Sequence, residues 1–150
     1  MKPFPFYTQE TNYTCGAASL RTALEFFGIK KSEQEVALML STNKVSGTRH
    51  KNFSKVAEQF KLNHRSARNA TIADIKEYKK KGYLVIVCYQ YPPEKIAHYA
   101  IVKSIGSKNI YLYNPYFGEY HGYPLPVFEK NWKSHQQYEN EVCWFFAIKK

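Results

Sequence analysis

The 150 residues are 44% hydrophobic and 17% aromatic, with 13 Tyr and 10 Phe, enough apolar surface for one buried core, so residues 1–150 read as a single domain with disorder excluded beyond the ends. A balance of 22 Lys and Arg against 12 Asp and Glu, a formal charge of +10, favours acidic partners, but the cations lie singly or in short clusters such as Lys79-Lys80-Lys81 and argue against a nucleic-acid track. Three cysteines with no C-x-x-C pair exclude a disulfide framework and fit no zinc pattern, so neither a metal nor a cofactor is expected.

The segment up to Tyr7 lacks the uninterrupted apolar stretch of a signal peptide, and no segment reaches the length of a membrane span. The expectation is a soluble chain, cytoplasmic rather than secreted, with a signal removed before maturity as the alternative. From Cys15 to Phe27 the residues Ala18, Leu20, Ala23, Leu24, Phe26 and Phe27 recur at helical spacing, and Gly28 stops the run. Ser32 with Glu35 three residues later resembles a capping box for a second helix reaching about Leu40. Residues 42–51 then read as a loop.

A third helix is expected over residues 52–60, with Phe53, Val56, Ala57 and Phe60 on one face. A fourth is expected over 72–80, with Thr71 as cap and Gly82 as terminator. Leu84 to Tyr89 is short, β-branched and apolar throughout, the pattern of a strand buried on both faces. The loop 92–95 follows, and then residues 98–105 and 110–114 read as a β-hairpin around Gly106 to Asn109. A tyrosine-rich loop (116–123), a short helical segment near 127–132 and a last strand over 142–148 complete the chain. Helices first and antiparallel strands second make an α+β arrangement.

Three residues stand out chemically. Cys15 opens the most apolar helix, where unpaired backbone N–H groups and the helix dipole stabilise a thiolate. Gly16 beside it lets backbone approach a substrate, and the Cys15 N–H is placed to donate to an oxyanion. Cys88 and Cys143 lie in apolar runs and read as buried small hydrophobes. His98 opens a hairpin strand, whereas the other histidines fall in loops or at helix edges. A three-residue loop, Gly106 to Lys108, would set Asn114 opposite Ala100 and diagonal to His98, on the same face of the sheet. Its amide could then accept from one imidazole nitrogen and leave the other for the thiol. Taken singly, each residue has an ordinary structural explanation; the coincidence of the three favours a nucleophile, a base and an orienting group.

These residues resemble the bacteriocin-processing, or double-glycine, cysteine peptidases and their stand-alone relatives, which share a papain-like fold. The resemblance is carried by Gln9-Glu10-Thr11-Asn12-Tyr13-Thr14-Cys15-Gly16-Ala17-Ala18, by Gly47-Thr48, by His98-Tyr99-Ala100-Ile101-Val102 and by Ile110-Tyr111-Leu112-Tyr113-Asn114-Pro115, and it extends over most of the chain. It implies a papain-like α+β fold with N-terminal helices packed on a C-terminal antiparallel sheet. It also implies that Cys15 is the nucleophile, His98 the base, Asn114 the orienting residue and Gln9 the oxyanion-hole side chain. Two departures accompany it: transporter-linked members usually carry Asp at the place of Asn114, and acidic residues at the places of Thr11 and Thr14.

The expected activity is hydrolysis of a peptide or related amide bond in a peptide or protein substrate, acidic if the charge is a guide. The alternatives are deamidation or acyl transfer by the same triad, and a catalytically idle module that binds an acidic or peptide partner.

Overall fold

The computed structural model describes residues 3–150. Five helices and six strands follow in the order α1 (Cys15–Phe26), α2 (Glu33–Met39), α3 (His50–Gln59), β1 (Asn63–Ala67), α4 (Ile72–Lys80), β2 (Leu84–Tyr91), β3 (Ile96–Ile105), β4 (Asn109–Asn114), β5 (Gly118–Pro124), α5 (Leu125–Asn131) and β6 (Phe145–Lys149). The strands form one antiparallel sheet in the order β1-β6-β2-β3-β4-β5. No helix among the described residues is long and apolar enough to cross a membrane.

Both helix-capping expectations are met in full. Ser32 accepts from the Glu35 N–H while the Glu35 carboxylate accepts from the Ser32 N–H, and Thr71 and Asp74 make the same reciprocal pair at α4. Each cap satisfies two otherwise orphan donors and contributes about 1 kcal/mol. Helix α1 differs. Its N-cap, Thr14, makes no side-chain bond to the helix, because the Thr14 hydroxyl is turned to the Glu33 carboxylate at 3.0 Å. The first-turn N–H groups of α1 are therefore left without a side-chain cap.

The sheet carries a core on each face. Toward α1, α2 and α3 it presents Ile86, Cys88, Tyr99, Ile101, Phe146 and Ile148, packed on Leu20, Leu24, Val36, Phe53 and Val56. Toward α4 and α5 it presents Val85, Val87, Tyr89, Ala100, Val102 and Leu112, packed on Ile75, Phe128 and Trp132. Strand β2 is buried on both faces, as its unbroken apolar run predicts. Each fully buried large side chain contributes about 1.5–3 kcal/mol.

Two strands escape the sequence reading. β1 is polar except for Ala67, and β5 contains two glycines and a proline. Each lies at an outer edge of the sheet with a single partner, β6 or β4, so neither needs the apolar pattern that marks a buried strand. Helix α3 starts two residues ahead of the expected Asn52, and β6 begins at Phe145 rather than Val142. Val142 instead bridges Lys133 outside the strand. Cys143 is half-buried with φ +54°, and Cys88 is buried as expected.

The β3–β4 hairpin reaches the expected alignment by another route. The turn is tighter than three residues, since the Gly106 N–H donates to the Asn109 carbonyl and Ile105 faces Ile110. A bulge between Val102 and Ser104 then shifts the pairing by one residue, so that Ile101 faces Tyr113. Continuing that register one step sets Ala100 beside Asn114. The shorter turn and the bulge offset one another, and a bulge of this kind leaves no mark in sequence periodicity.

Gly16 is required here by packing. A Cβ at this position would lie 2.8 Å from Thr48 Oγ1 and 3.1 Å from Tyr99 Cδ2. Gly16→Ala should therefore lower stability by about 1–3 kcal/mol through overpacking, read as a lower urea midpoint with an unchanged slope; an unaltered midpoint would show that Thr48 yields freely.

Candidate active site

Strand β3 runs beyond the end of β4. Their pairing stops at Ile101 and Tyr113, and after Asn114 the chain turns away, leaving residues 96–99 of β3 with β2 on one side only. Cys15 occupies that edge: the Tyr99 N–H, which would otherwise bond to the next strand, donates to Cys15 Sγ at 3.5 Å. The first residue of α1 is thus fastened one position from His98.

Residues alternate faces along a strand, so Tyr99 looks toward α1 while His98 looks the other way, opposite Tyr89. The open edge removes the barrier between the two faces. Cys15 and His98 accordingly line one cleft of about 190 Å³, walled also by Asn12, Gly47, Thr48 and Tyr138. The Gly47-Thr48 pair belongs to this wall, and the Thr48 carbonyl accepts from Tyr99 Oη at 2.7 Å.

The surroundings disfavour the charged form of both groups. Burial pushes the Cys15 thiol up from its ordinary range, offset in part by the N–H groups of Tyr99, Gly16 and Cys15 itself. The helix N-terminus does act on the sulfur as the sequence suggests, but desolvation outweighs it, and the expectation of a lowered thiol pKa is reversed. His98, 8% exposed, is pushed down to about 4, first by burial and then by His121. Its Nε2 is buried without a hydrogen-bond partner. Aromatic rings surround the imidazole instead, with Phe117 at 5.6 Å, Tyr116 at 5.8 Å and Tyr91 at 6.2 Å between centroids.

Asn114 and Gln9 are arranged otherwise than expected. Asn114 is fully buried; its Oδ1 accepts from the Tyr116 and Phe117 N–H groups at 2.8 and 3.0 Å, and its Nδ2 donates to Tyr89 Oη at 2.6 Å. Both acceptor positions of Oδ1 are filled by backbone, so the amide takes no proton from the imidazole in this arrangement. It pins the turn that carries Tyr116 and Phe117 against His98. Gln9 lies in a neighbouring hollow with Glu10, Thr11, Asn12 and Pro115. Its Nε2 donates to the Thr11 carbonyl at 2.6 Å and its Oε1 is buried without a partner, so one of its two amide N–H groups is spent on its own loop.

Glu33 is a contributor that sequence reading did not single out. It is 2% exposed, accepts from the Glu10 N–H at 2.9 Å and from Thr14 Oγ1 at 3.0 Å, and so ties the loop before Cys15 to α2. A Glu at the first position of a capping-box helix reads as an ordinary first-turn acid and gives no signal of a partner 23 residues upstream. His50, Glu139 and Glu141 bring potential metal-ligand atoms within 4.8 Å of one another. Those atoms are already engaged: His50 Nδ1 meets Glu141 at 2.9 Å, while Glu139 accepts from Arg49 Nε and from the His50 N–H.

Comparison with known proteins places the chain. The model of the "Peptidase_C39 like family" matches residues 1–140. An uncharacterised protein of Methanothermobacter marburgensis is 31% identical over 110 residues, 73% of this chain and 70% of that protein. The peptidase domain of Streptococcus ComA, a bifunctional ABC transporter involved in quorum sensing, superposes with a TM-score of 0.74 at 18% identity, covering 98% of this chain and 97% of that one. A double-glycine-motif protease from an AMS/PCAT transporter, solved in complex with a leader peptide, superposes with a TM-score of 0.68 at 18% identity, covering 96% and 88%. The papain-like α+β architecture expected from the sequence is thereby established, and the chain belongs to the C39-like peptidase family.

Proposed function

We propose that this chain is a cysteine peptidase in which Cys15 attacks the carbonyl of a peptide bond and His98 is the base. The observation that carries the reading is the docking of the Cys15 sulfur on the open edge of β3, one residue from His98, with both side chains in one cleft. The leader-peptide complex of a structural neighbour supports a peptide substrate.

In the resting site the thiol and the imidazole are both neutral, so the proton moves from Cys15 to His98 as the sulfur attacks. The tetrahedral oxyanion forms next to the uncapped first turn of α1, where the Cys15 N–H donates to it. Gln9 supplies a second donor once its amide leaves the Thr11 carbonyl. His98 then protonates the leaving amine, and water releases the acyl-enzyme. Asn114 orients His98 through the turn at Tyr116 and Phe117.

The engaged amides of Gln9 and Asn114 favour a second reading, a C39-like module that binds a peptide without cutting it. Mass spectrometry of a peptide library separates the two, and also separates peptidase chemistry from deamidation and acyl transfer. Wild-type protein should yield new peptide termini, whereas Cys15→Ala yields none while still unfolding cooperatively, its melting temperature lowered only by the Tyr99 N–H that loses its acceptor. No Cys15-dependent product from wild type would leave the binding module standing.

Catalysis by a neutral pair requires unprotonated His98, so kcat/KM should hold through mildly acidic pH and fall only toward about 4. A half-fall near the ordinary histidine value of about 6.5 would contradict the buried imidazole. Stability follows the same proton. His98 titrates lower in the folded chain than in the unfolded one, so between about 6.5 and about 4 the unfolded state holds more protons and stability declines as pH falls. His50 and His121, also lowered by burial, act with the same sign, and the melting temperature should drop across this window.

Asn114→Ala would free two backbone donors and leave Tyr89 Oη without its amide. A loss of about 1–3 kcal/mol is expected, together with a lower kcat; an unchanged kcat would remove Asn114 from the mechanism.

A further inference from the structure

Past Val87 and Phe145 the strands β2 and β6 separate, and the segment after α5 runs along the freed edge of β2. There the Gln90 side-chain amide donates to the Ser134 carbonyl at 3.2 Å. Between this segment, α5 and the β2–β3 turn lies a groove of about 750 Å³, to which Lys95, Lys130, Lys133 and His135 contribute and no carboxylate does.

The cations of the groove are free. Lys95 and Lys130 are exposed and Lys133 half-buried, and among the described residues none of the three has a carboxylate within 4.0 Å. Their two acidic sequence neighbours, Glu94 and Glu129, are exposed and neither lines the groove. Lys95 is held in place by the turn, its N–H donating to the Tyr91 carbonyl at 2.7 Å. A concave surface carrying one sign of charge concentrates the opposite sign, and the volume falls within the usual range of ligand clefts, about 300–1,000 Å³.

The groove also has a direction. His135 lines both it and the cleft of Cys15 and His98, so a chain lying in one can continue into the other. We propose that the groove binds a run of Asp and Glu side chains in the peptide substrate, next to the segment that enters the cleft. This rests on the peptidase reading for its meaning, since it names the class of peptide that the proposed enzyme selects. Continuity with the thiol cleft favours a peptide over a nucleic-acid strand of the same charge.

The test uses the Cys15→Ala protein and a fluorescein-labelled hexaglutamate peptide, with binding followed by fluorescence anisotropy in low salt. Substituting Lys95, Lys130 and Lys133 together by Ala should weaken binding about tenfold or more. A control that removes Lys55, Lys61 and Lys108, the same charge elsewhere on the surface, should leave it within about twofold. Equal losses in the two triple variants, or no binding at all, would overturn the proposal. So would tighter binding of a single-stranded oligonucleotide of equal charge that the groove variant also loses. A second arm repeats the library digestion: wild type should prefer peptides with Asp or Glu near the cut, and the groove variant should lose that preference while cutting neutral peptides as before. If nothing is cut but hexaglutamate still distinguishes the two triple variants, the enzyme reading fails and the groove stands; the reverse outcome sinks the groove alone.

Discussion

The site depends on the point where β4 leaves β3. A continuous pair would have spent the Tyr99 N–H on a neighbouring strand and closed the edge. Because pairing ends at Ile101 and Tyr113, that donor is orphaned, and a buried orphan N–H costs free energy unless something accepts from it. The Cys15 sulfur accepts. The same gap gives His98, whose side chain starts from the opposite face, access to the cleft that the sulfur lines. One interrupted ladder therefore joins the start of a helix to the middle of a strand 83 residues later.

The elements around this junction hold it at short range. Gly16 allows α1 to approach Thr48 and Tyr99 closely, and Tyr99 Oη secures the loop bearing Thr48. Glu33 restrains residues 10–14 from behind. Its carboxyl is pushed up, chiefly by burial, a cost met by bonds to the Glu10 N–H and the Thr14 hydroxyl. That use of Thr14 leaves the α1 N-terminus without a side-chain cap, where its N–H groups remain free for a thiol or an oxyanion. On the far face, Asn114 organises an aromatic enclosure through two backbone N–H groups. The imidazole is thus restrained by ring packing, while its Nε2 is buried without a hydrogen-bond partner. Burial disfavours the charge of both groups, and it strengthens any charge–dipole contact formed during reaction.

Much of this was written into local sequence. The amphipathic run after Cys15, the two capping boxes and the unbroken apolar strand 84–89 each obey a rule that operates within a few residues, and the structure follows them. Cys15 and Asn114 could also be singled out, because a helix start and a residue before proline are local features; His98 was singled out as a strand start, although β3 begins two residues earlier, at Ile96. The two edge strands were illegible, since half-exposed backbone pairing makes no demand on side-chain polarity. The hairpin alignment came out as expected although its turn was shorter, because a bulge restored the register.

What the sequence determined by itself was the set of elements with a buried face and the residue types able to do thiol chemistry, for both follow from spacing along the chain. What only the tertiary structure decided was where those side chains point and how they ionise. Gln9 turns to Thr11, Asn114 to the backbone of its own turn, and burial overrides the helix dipole at Cys15. Desolvation and hydrogen-bond competition depend on neighbours brought from distant parts of the chain, such as Glu33 with Thr14 or Tyr89 with Asn114, and their identity is set by packing rather than by local spacing.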